Sequence, residues 1–300
     1  MKDTKFEKFA QQVIEQLKEK LGEEYTFERR NVLKNNGVIL RGVTISRADE
    51  VMSPTIYLDG AYSLFTDGYS MDVIVGKLYE GIIDSENSGI QFDNGEFRDL
   101  QQVKDHIIYR LINAVENKDF LKDVPHILYL DLAICFAAYY EQADGTAYSV
   151  TIHEDHAKMW GVTAEQLLEY ARVNTPRLYP ERSDSIVNVI RENFNDLAEG
   201  YLEDCPMVVL TNKSKCNGAA VILYPDVMSR LSEQMGNGDI ILLPSSIHEW
   251  ILLPADDDTE MDYLRNMVQQ VNQSCVEREE VLSDKVYIYR ADEKKVEIAA

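Results

Sequence analysis

The segment ILYLDLAICFAAYY, residues 127–140, constrains the fold more than any other part of the chain. It is apolar nearly throughout. A strand with one face in water alternates apolar and polar residues, whereas a continuous apolar run is typical of a strand buried on both faces. We therefore predict that 127–140 forms one central strand of a sheet whose two faces are both covered.

Periodic patterns elsewhere in the chain indicate what surrounds such a sheet. Apolar residues at helical spacing predict an amphipathic helix over 4–21, which Gly22 ends. The runs 25–33 and 37–45 flank Asn36-Gly37, a strong β-hairpin signal. Similar patterns predict strands at 206–211, 219–224, 239–244 and 248–254, a hairpin over 285–299, and helices within 55–85, 154–176, 184–200, 225–235 and 256–272.

This mixture predicts an α+β fold, with mixed or antiparallel sheets built from hairpins and packed with amphipathic helices. We divide the chain into an N-terminal α+β region (1–150), a helical connecting region (151–205) and a C-terminal α+β region (206–300), or treat all three as one integrated unit. No apolar run is long enough to span a membrane. The charged start lacks the pattern of a secretory signal, and the four cysteines are far apart, which predicts reduced thiols in the cytoplasm and no zinc framework.

The net charge of −22 disfavours nucleic acid and anionic membrane as partners, since both would repel the protein. The charge is uneven: residues 1–50 sum to +1, 51–100 to −7 and 251–300 to −6. Two interpretations stay open. The acidity either keeps the protein in solution, or it mimics phosphates and occupies the nucleic-acid groove of a partner protein.

The polar stretch TNKSKCNG, residues 211–218, places Cys216 between Lys215 and Asn217. Cations near a thiol favour the thiolate, and His248 would then be the base of a Cys216–His248 dyad. The alternative, which we favour, is a hairpin turn in which Asn217-Gly218 supplies permissive backbone angles.

The stretch SSIHE, residues 245–249, offers a second candidate, in which Ser246 and His248 act in a hydrolase. No third member of a catalytic triad is evident. His248-Glu249 also begins a zinc-protease HExxH pattern, but Leu252 stands in place of the second histidine. A connection between two strands is the simpler interpretation.

His153 and His156 are the best candidates for metal ligands, since they share a helix face and have Glu154 and Asp155 between them. The same residues also suit an exposed helix start, where acidic side chains favour the helix dipole. The acidic residues from Asp256 to Asp262 are interpreted in that way too. We assign no cofactor.

Five segments resemble a bacterial family, domain of unknown function 5688, of gut anaerobic Gram-positive bacteria: NNGVILRGVTI (35–45), SPTIYLDGAY (53–62), VLTNKSKCNGAAVILYPDV (209–227), LLPSSIHEWILLPAD (242–256) and EEVLSDKVYIY (279–289). Two segments are distantly similar to the uncharacterised YtpQ-type family: HAKMWGVTAEQLLEYARVNTPRLYP (156–180) and the same LLPSSIHEWILLPAD (242–256). Neither resemblance supplies a catalytic residue or a ligand. The first family is often met near mobile elements, which implies an interaction or counter-defence role.

The sequence thus favours a cytoplasmic protein that binds another protein without catalysis, with an acidic inhibitor or mimic tied to mobile elements as its specific form. Two alternatives stay open: a hydrolase or thiol enzyme that uses Cys216 or Ser246 with His248, and a metal or small-molecule sensor at His153 and His156.

Overall fold

The computed structural model describes residues 4–47, 55–87, 97–141, 147–193, 205–256 and 258–299. The chain divides into two compact units. The described parts of Met1–Lys34, Val38–Phe97 and Glu141–Ala147 form the first, and those of Asn35–Gly37, Arg98–Tyr140 and Tyr148–Ala300 form the second. Both contain helices and antiparallel strands, which confirms the α+β class. The three regions 1–150, 151–205 and 206–300 stay a prediction.

The first unit is a small antiparallel sheet covered by helices. Its helices are α1 (Thr4–Leu21), α2 (Leu58–Thr66) and α3 (Met71–Asn87), and its strands are β1 (Tyr25–Leu33), β2 (Ile39–Arg47) and β3 (Thr55–Tyr57). The strand order is β1-β2-β3. Strands β1 and β2 pair from Tyr25↔Arg47 to Leu33↔Ile39, which confirms the hairpin around Asn36-Gly37.

Helix α1 is the predicted amphipathic helix, and it supplies much of the first unit's core. Gly22 follows it with φ +100°, and the N–H of Gly22 donates to the carbonyl of Lys18 at 3.0 Å. Glycine adopts this left-handed conformation at little cost, so the chain can leave the helix there. The buried residues of α1 are Phe6, Phe9, Ala10, Val13, Ile14, Leu17 and Leu21.

The second unit contains two antiparallel sheets and six helices among the described residues. The helices are α4 (Leu100–Val103), α5 (Glu154–Trp160), α6 (Ala164–Leu178), α7 (Ile186–Asn193), α8 (Val227–Gln234) and α9 (Met261–Ser274). The strands of its sheets are β4 (Ile107–Asn113), β5 (His126–Tyr129), β6 (Leu132–Glu141), β7 (Ala147–Thr151), β8 (Glu181–Ser185), β9 (Val208–Asn212), β10 (Ile240–Ser246), β11 (Glu249–Pro254), β12 (Tyr287–Arg290) and β13 (Lys295–Ile298).

The larger sheet has the strand order β13-β12-β10-β11-β9-β8. Its β10–β11 and β12–β13 pairs confirm the hairpins predicted over 239–254 and 285–299. The smaller sheet has the order β4-β6-β5, and β7 also pairs with β6. Trp250 and Tyr287 on the larger sheet are fully buried and meet edge to face, with ring centroids 5.1 Å apart.

The single strand predicted over 127–140 is wrong, because the segment forms the β5–β6 hairpin. Leu130 has φ +58° in the tight turn. Next to it, the carboxylate of Asp131 accepts hydrogen bonds from the hydroxyls of Tyr287 (2.6 Å) and Ser283 (2.7 Å). Strand β6 is buried from Leu132 to Tyr139. The prediction of a strand buried on both faces is therefore correct for β6, but not for β5.

Four further segments differ from their predicted structure. Residues 219–224 form no strand, because Gly218–Leu223 is a buried 3₁₀ helix. Residues 55–57 are strand β3 rather than helix. The helix predicted over 154–176 is broken at Gly161, whose φ is +67°. Residues 181–185 form β8, so α7 begins only at Ile186, and residues 194–200 lie outside the described part of the chain.

The buried amide of Asn36 links three parts of the second unit. Its side-chain N–H groups donate to the carbonyls of Arg278 (2.8 Å) and Val281 (2.7 Å). Its carbonyl accepts from Asn117, whose own carbonyl accepts the main-chain N–H of Asn36 at 2.8 Å. Both side chains are 2% exposed, so these bonds replace water that neither amide can reach.

Candidate functional site

The loop that holds Cys216 is organised by the buried side chain of Asn212, at the end of β9. The amide N–H of Asn212 donates to the carbonyl of Cys216 at 2.7 Å. Its carbonyl accepts from the hydroxyl of Ser214 (2.8 Å) and from the main-chain N–H of Cys216 (3.3 Å). The loop is therefore folded around one amide group, and this fixes the backbone of Cys216.

His248, in the β10–β11 connection, binds this loop. Its Nδ1 accepts the main-chain N–H of Asn217 at 3.0 Å, so the neutral ring carries its proton on Nε2. Nε2 lies 3.5 Å from a carboxylate oxygen of Glu280. The carbonyl of His248 accepts from the hydroxyl of Thr211 at 2.7 Å. The histidine thus connects the loop, the strand connection and the segment around Glu280.

In the described residues, neither candidate nucleophile has a hydrogen bond to the imidazole ring of His248. Among the hydrogen bonds of the described residues, the thiol of Cys216 accepts from the side chain of Asn217 at 3.3 Å. The hydroxyl of Ser246 accepts the main-chain N–H of His248 at 3.0 Å. The fold brings Cys216, Ser246 and His248 to one junction, and there Nδ1 of His248 binds backbone. Catalysis by any of the three stays a prediction.

The structure shows why residue 218 of the Asn-Gly pair is a glycine. A Cβ at Gly218 would lie 2.2 Å from the hydroxyl of Thr211 and 2.3 Å from the carbonyl of His248. Asn217 has the left-handed φ of +51°, as permissive angles require, but a 3₁₀ helix follows instead of a second strand. The predicted hairpin turn is therefore wrong. The glycine permits close packing of the loop on the β10–β11 connection.

His153 and His156 lie at the start of α5 and form a capping arrangement. Nδ1 of His153 is 2.8 Å from a carboxylate oxygen of Asp123. Nδ1 of His156 accepts the main-chain N–H of His153 at 3.1 Å. Partial burial, followed by the neighbouring His153, lowers the pKa of His156 from its ordinary value. A histidine at this position therefore does what glutamine or glutamate does in a capping box.

The described residues contain no group of three or more histidine, cysteine or acidic side chains arranged to hold a metal ion. A metal bound by His153 and His156 stays a prediction. In the same described residues, no helix combines the length and apolarity needed to cross a bilayer.

Helix α9 carries two apolar stripes, and the described part of the chain buries one of them and leaves the other exposed. Leu264 and Val268 are buried against Ile241, Leu243 and Val286 of the second unit. The other stripe is Tyr263, Met267 and Val271, which are 65%, 36% and 42% exposed. Residues four apart lie one above another on a helix, so the three side chains form a continuous exposed ridge.

Most of the ridge lies in a segment of the chain without charged residues. Residues 266–276 contain no charged side chain, although charged residues make up 27% of the whole chain. We define the α9 face as the ridge together with the exposed uncharged residues on its other side: Tyr263, Asn266, Met267, Gln270, Val271 and Ser274.

Acidic residues lie just beyond both ends of the α9 face. Asp256, Asp258, Glu260 and Asp262 are exposed at the start of α9, with Arg265 paired to Asp262 at 2.8 Å. Helix α9 itself begins at Met261, so Asp262 lies in its first turn, and the other three acidic residues precede the helix. Glu277, Glu279 and Glu280 follow the last turn, with Arg278 among them 3.7 Å from Glu116.

Sequence periodicity missed this surface. The pattern of 256–272 predicts an amphipathic helix with an acidic start, and the structure confirms a helix from Met261. The absence of charge over 266–276 was the available signal. It does not reveal that the Tyr263, Met267 and Val271 side is exposed, because that depends on which stripe the sheet covers.

Fold and surface together define an α+β protein of two antiparallel-sheet units with an exposed, uncharged helix face. The chain belongs to the family of unknown function DUF5688, whose model matches residues 6–291. No curated protein and no solved structure matches the chain.

Proposed function

We propose that this protein acts by binding another protein, without catalysis, and that the α9 face is the binding surface. The observation that carries the proposal is the exposed ridge of Tyr263, Met267 and Val271 within an uncharged surface. The centres of protein interfaces are depleted in charged residues and enriched in tyrosine and methionine. Scattered exposed apolar residues are normal, but three stacked on one helix make a patch.

The acidic ends of the face support a partner with basic groups. A chain of net charge −22 attracts such a partner and guides its approach. We place the encounter in the cytoplasm, where the four cysteines, all free, would stay reduced. A catalytic role receives less support, because Nδ1 of His248 binds the backbone of Asn217.

The test is an affinity pull-down from lysate of the organism that encodes the chain, at low and moderate salt, with mass spectrometry of the retained proteins. The wild-type chain is compared with Met267→Lys, which puts a charge in the centre of the α9 face. Val173→Lys is the matched control, because Val173 is an apolar residue 71% exposed on α6. Circular dichroism first checks that both variants are folded.

We expect one stoichiometric partner, bound more weakly at higher salt, that is lost from Met267→Lys and kept by Val173→Lys. A partner retained equally by both variants would refute the α9 face as the binding surface. Nucleic acid added to the lysate tests the acidic mimic in the same experiment: a partner displaced by DNA is a nucleic-acid-binding protein.

A further inference from the structure

Resting on the proposed function, the geometry points to a partner of definite chemistry. We infer that the α9 face receives an amphipathic helix of a different protein, with apolar side chains in its middle and lysine or arginine at both ends. Shape, charge and the exclusion of a second copy of this chain each support this inference.

The shape of the surface selects a helix. Tyr263, Met267 and Val271 repeat every four residues, so their Cα atoms are about 6 Å apart along the axis and span about 12 Å. Backbone N–H and C=O groups within a helix are already paired, so this ridge offers no edge to which a strand could add. Ridges of side chains pack into the grooves of another helix, which makes a helix the matching partner.

The charges at the two ends select basic residues on that helix. Four exposed acidic residues lie at the start of α9. After its last turn Glu277 is exposed, whereas Glu279 and Glu280 are half-buried and Glu280 lies 3.5 Å from Nε2 of His248. Each end has one arginine. Both arginines already have an acidic partner, Asp262 and Glu116 respectively. The fourteen residues of α9 rise about 21 Å, more than two screening lengths at physiological salt, so each end acts on its own side of the partner.

The same charges disfavour a second copy of this chain. If two α9 faces packed in parallel, the acidic start of one would meet the acidic start of the other. If they packed antiparallel, the start of one would meet Glu277, Glu279 and Glu280 of the other. Both arrangements bring like charges together at each end, which costs free energy. The uncharged centre therefore fits a partner whose ends are positive.

A displayed library of 18-residue helical peptides tests this chemistry directly, with three positions randomised at each end and four apolar-register positions randomised in the middle. The library is selected on the wild-type protein. The recovered peptides are then synthesised, and their dissociation constants are measured by fluorescence anisotropy. The variants measured are Met267→Lys, the control Val173→Lys, Asp258→Asn with Glu260→Gln, and Glu277→Gln.

We expect recovered peptides with lysine or arginine at both ends and apolar residues between. Their affinity should fall about 10-fold or more with Met267→Lys and about 3-fold for each neutralised end, and stay unchanged with Val173→Lys. Recovered peptides with neutral or acidic ends, binding unaffected by Met267→Lys, or no recovered peptide would each overturn the inference. A dimer that sedimentation detects and that Met267→Lys disperses would also overturn it.

The pull-down distinguishes a wrong partner chemistry from a wrong binding surface. A cellular partner that is lost with Met267→Lys, together with any of these contrary peptide results, would keep the binding function and remove only the basic helix as its partner. A cellular partner unaffected by Met267→Lys would remove the binding surface itself.

Discussion

The main-chain N–H of Asn217 donates to Nδ1 of His248 across 3.0 Å, and this bond joins the Cys216 loop to the β10–β11 connection. His248→Ala leaves the N–H without its acceptor, which should lower the free energy of unfolding by about 1–2 kcal/mol. An asparagine places its carbonyl near the position of Nδ1, so His248→Asn should recover part of that loss. Urea denaturation of the three proteins measures both effects.

Equal losses for His248→Ala and His248→Asn would show that ring packing, rather than the hydrogen bond to Asn217, holds the loop. His248→Gln is the matched control, because its carbonyl corresponds to the position of Nε2 and leaves the N–H of Asn217 unpaired.

Local signals were enough to predict several hairpins. In residues 25–45, alternating apolar positions and an Asn-Gly turn lie next to each other, so the pairing of β1 with β2 depends on neighbours in sequence. The β10–β11 and β12–β13 hairpins likewise pair two strands that are neighbours in sequence. For these elements, periodicity and turn residues indicate the same structure as the final packing.

The wrong predictions occurred where distant residues decide the structure. The turn at Leu130 contains no glycine or proline, and Asp131 within it binds Ser283 and Tyr287, far along the chain. The apolar run 219–224 has the composition of a strand. It forms a 3₁₀ helix that is bound to distant parts of the chain through Ala219. The carbonyl of Ala219 accepts from the indole of Trp250 at 2.7 Å, and its N–H donates to the carbonyl of Ile247 at 3.1 Å.

In the candidate sites too, the sequence identifies residues, whereas distant contacts decide their geometry. The sequence drew attention to Cys216, Ser246 and His248, and the fold brings all three to one junction. The direction in which Nδ1 of His248 points follows from tertiary contact alone. The α9 face was missed, because an exposed apolar stripe differs from a buried one only in what the rest of the chain covers.

Gly218→Ala should destabilise the protein strongly. The added methyl group would meet the main-chain N of Asn212 at 2.9 Å as well as the even closer Thr211 and His248 atoms, and backbone cannot move away as a flexible side chain can. We expect a loss of about 3 kcal/mol or more in the free energy of unfolding, from overpacking and backbone displacement.

Gly81→Ala is the comparison for this substitution. Gly81 lies inside α3, where a Cβ would meet no atom within 4 Å, so alanine should stabilise the helix by up to about 1 kcal/mol. Chemical denaturation of both variants checks the contrast. A mild effect of Gly218→Ala would mean that the loop is not packed as tightly as its contacts indicate.

Stability should fall in acid partly because of His156. Its pKa is lowered in the folded protein, by partial burial first and by His153 second. The unfolded chain therefore binds a proton more readily than the folded one. The resulting stability is present above the ordinary histidine pKa of 6.5 and is lost as pH falls through the lower folded value.

His156→Gln isolates this contribution, since glutamine at the third position of a helix keeps the capping hydrogen bond but does not titrate. The measurement is the difference in free energy of unfolding between the two proteins at pH 7 and at pH 5. We expect the wild type to lose more stability than His156→Gln over this interval. An unchanged difference would contradict the lowered pKa.

The two stripes of α9 should respond differently to truncation. Leu264 is 9% exposed and packs in the core, so Leu264→Ala should cost about 2–3 kcal/mol of unfolding free energy. Met267 is one turn away on the α9 face, so Met267→Ala should change stability by no more than about 0.5 kcal/mol. Both are measured by urea denaturation on the isolated protein. If Met267→Ala costs as much as Leu264→Ala, another part of the chain covers the ridge, and the surface is not free to bind a partner.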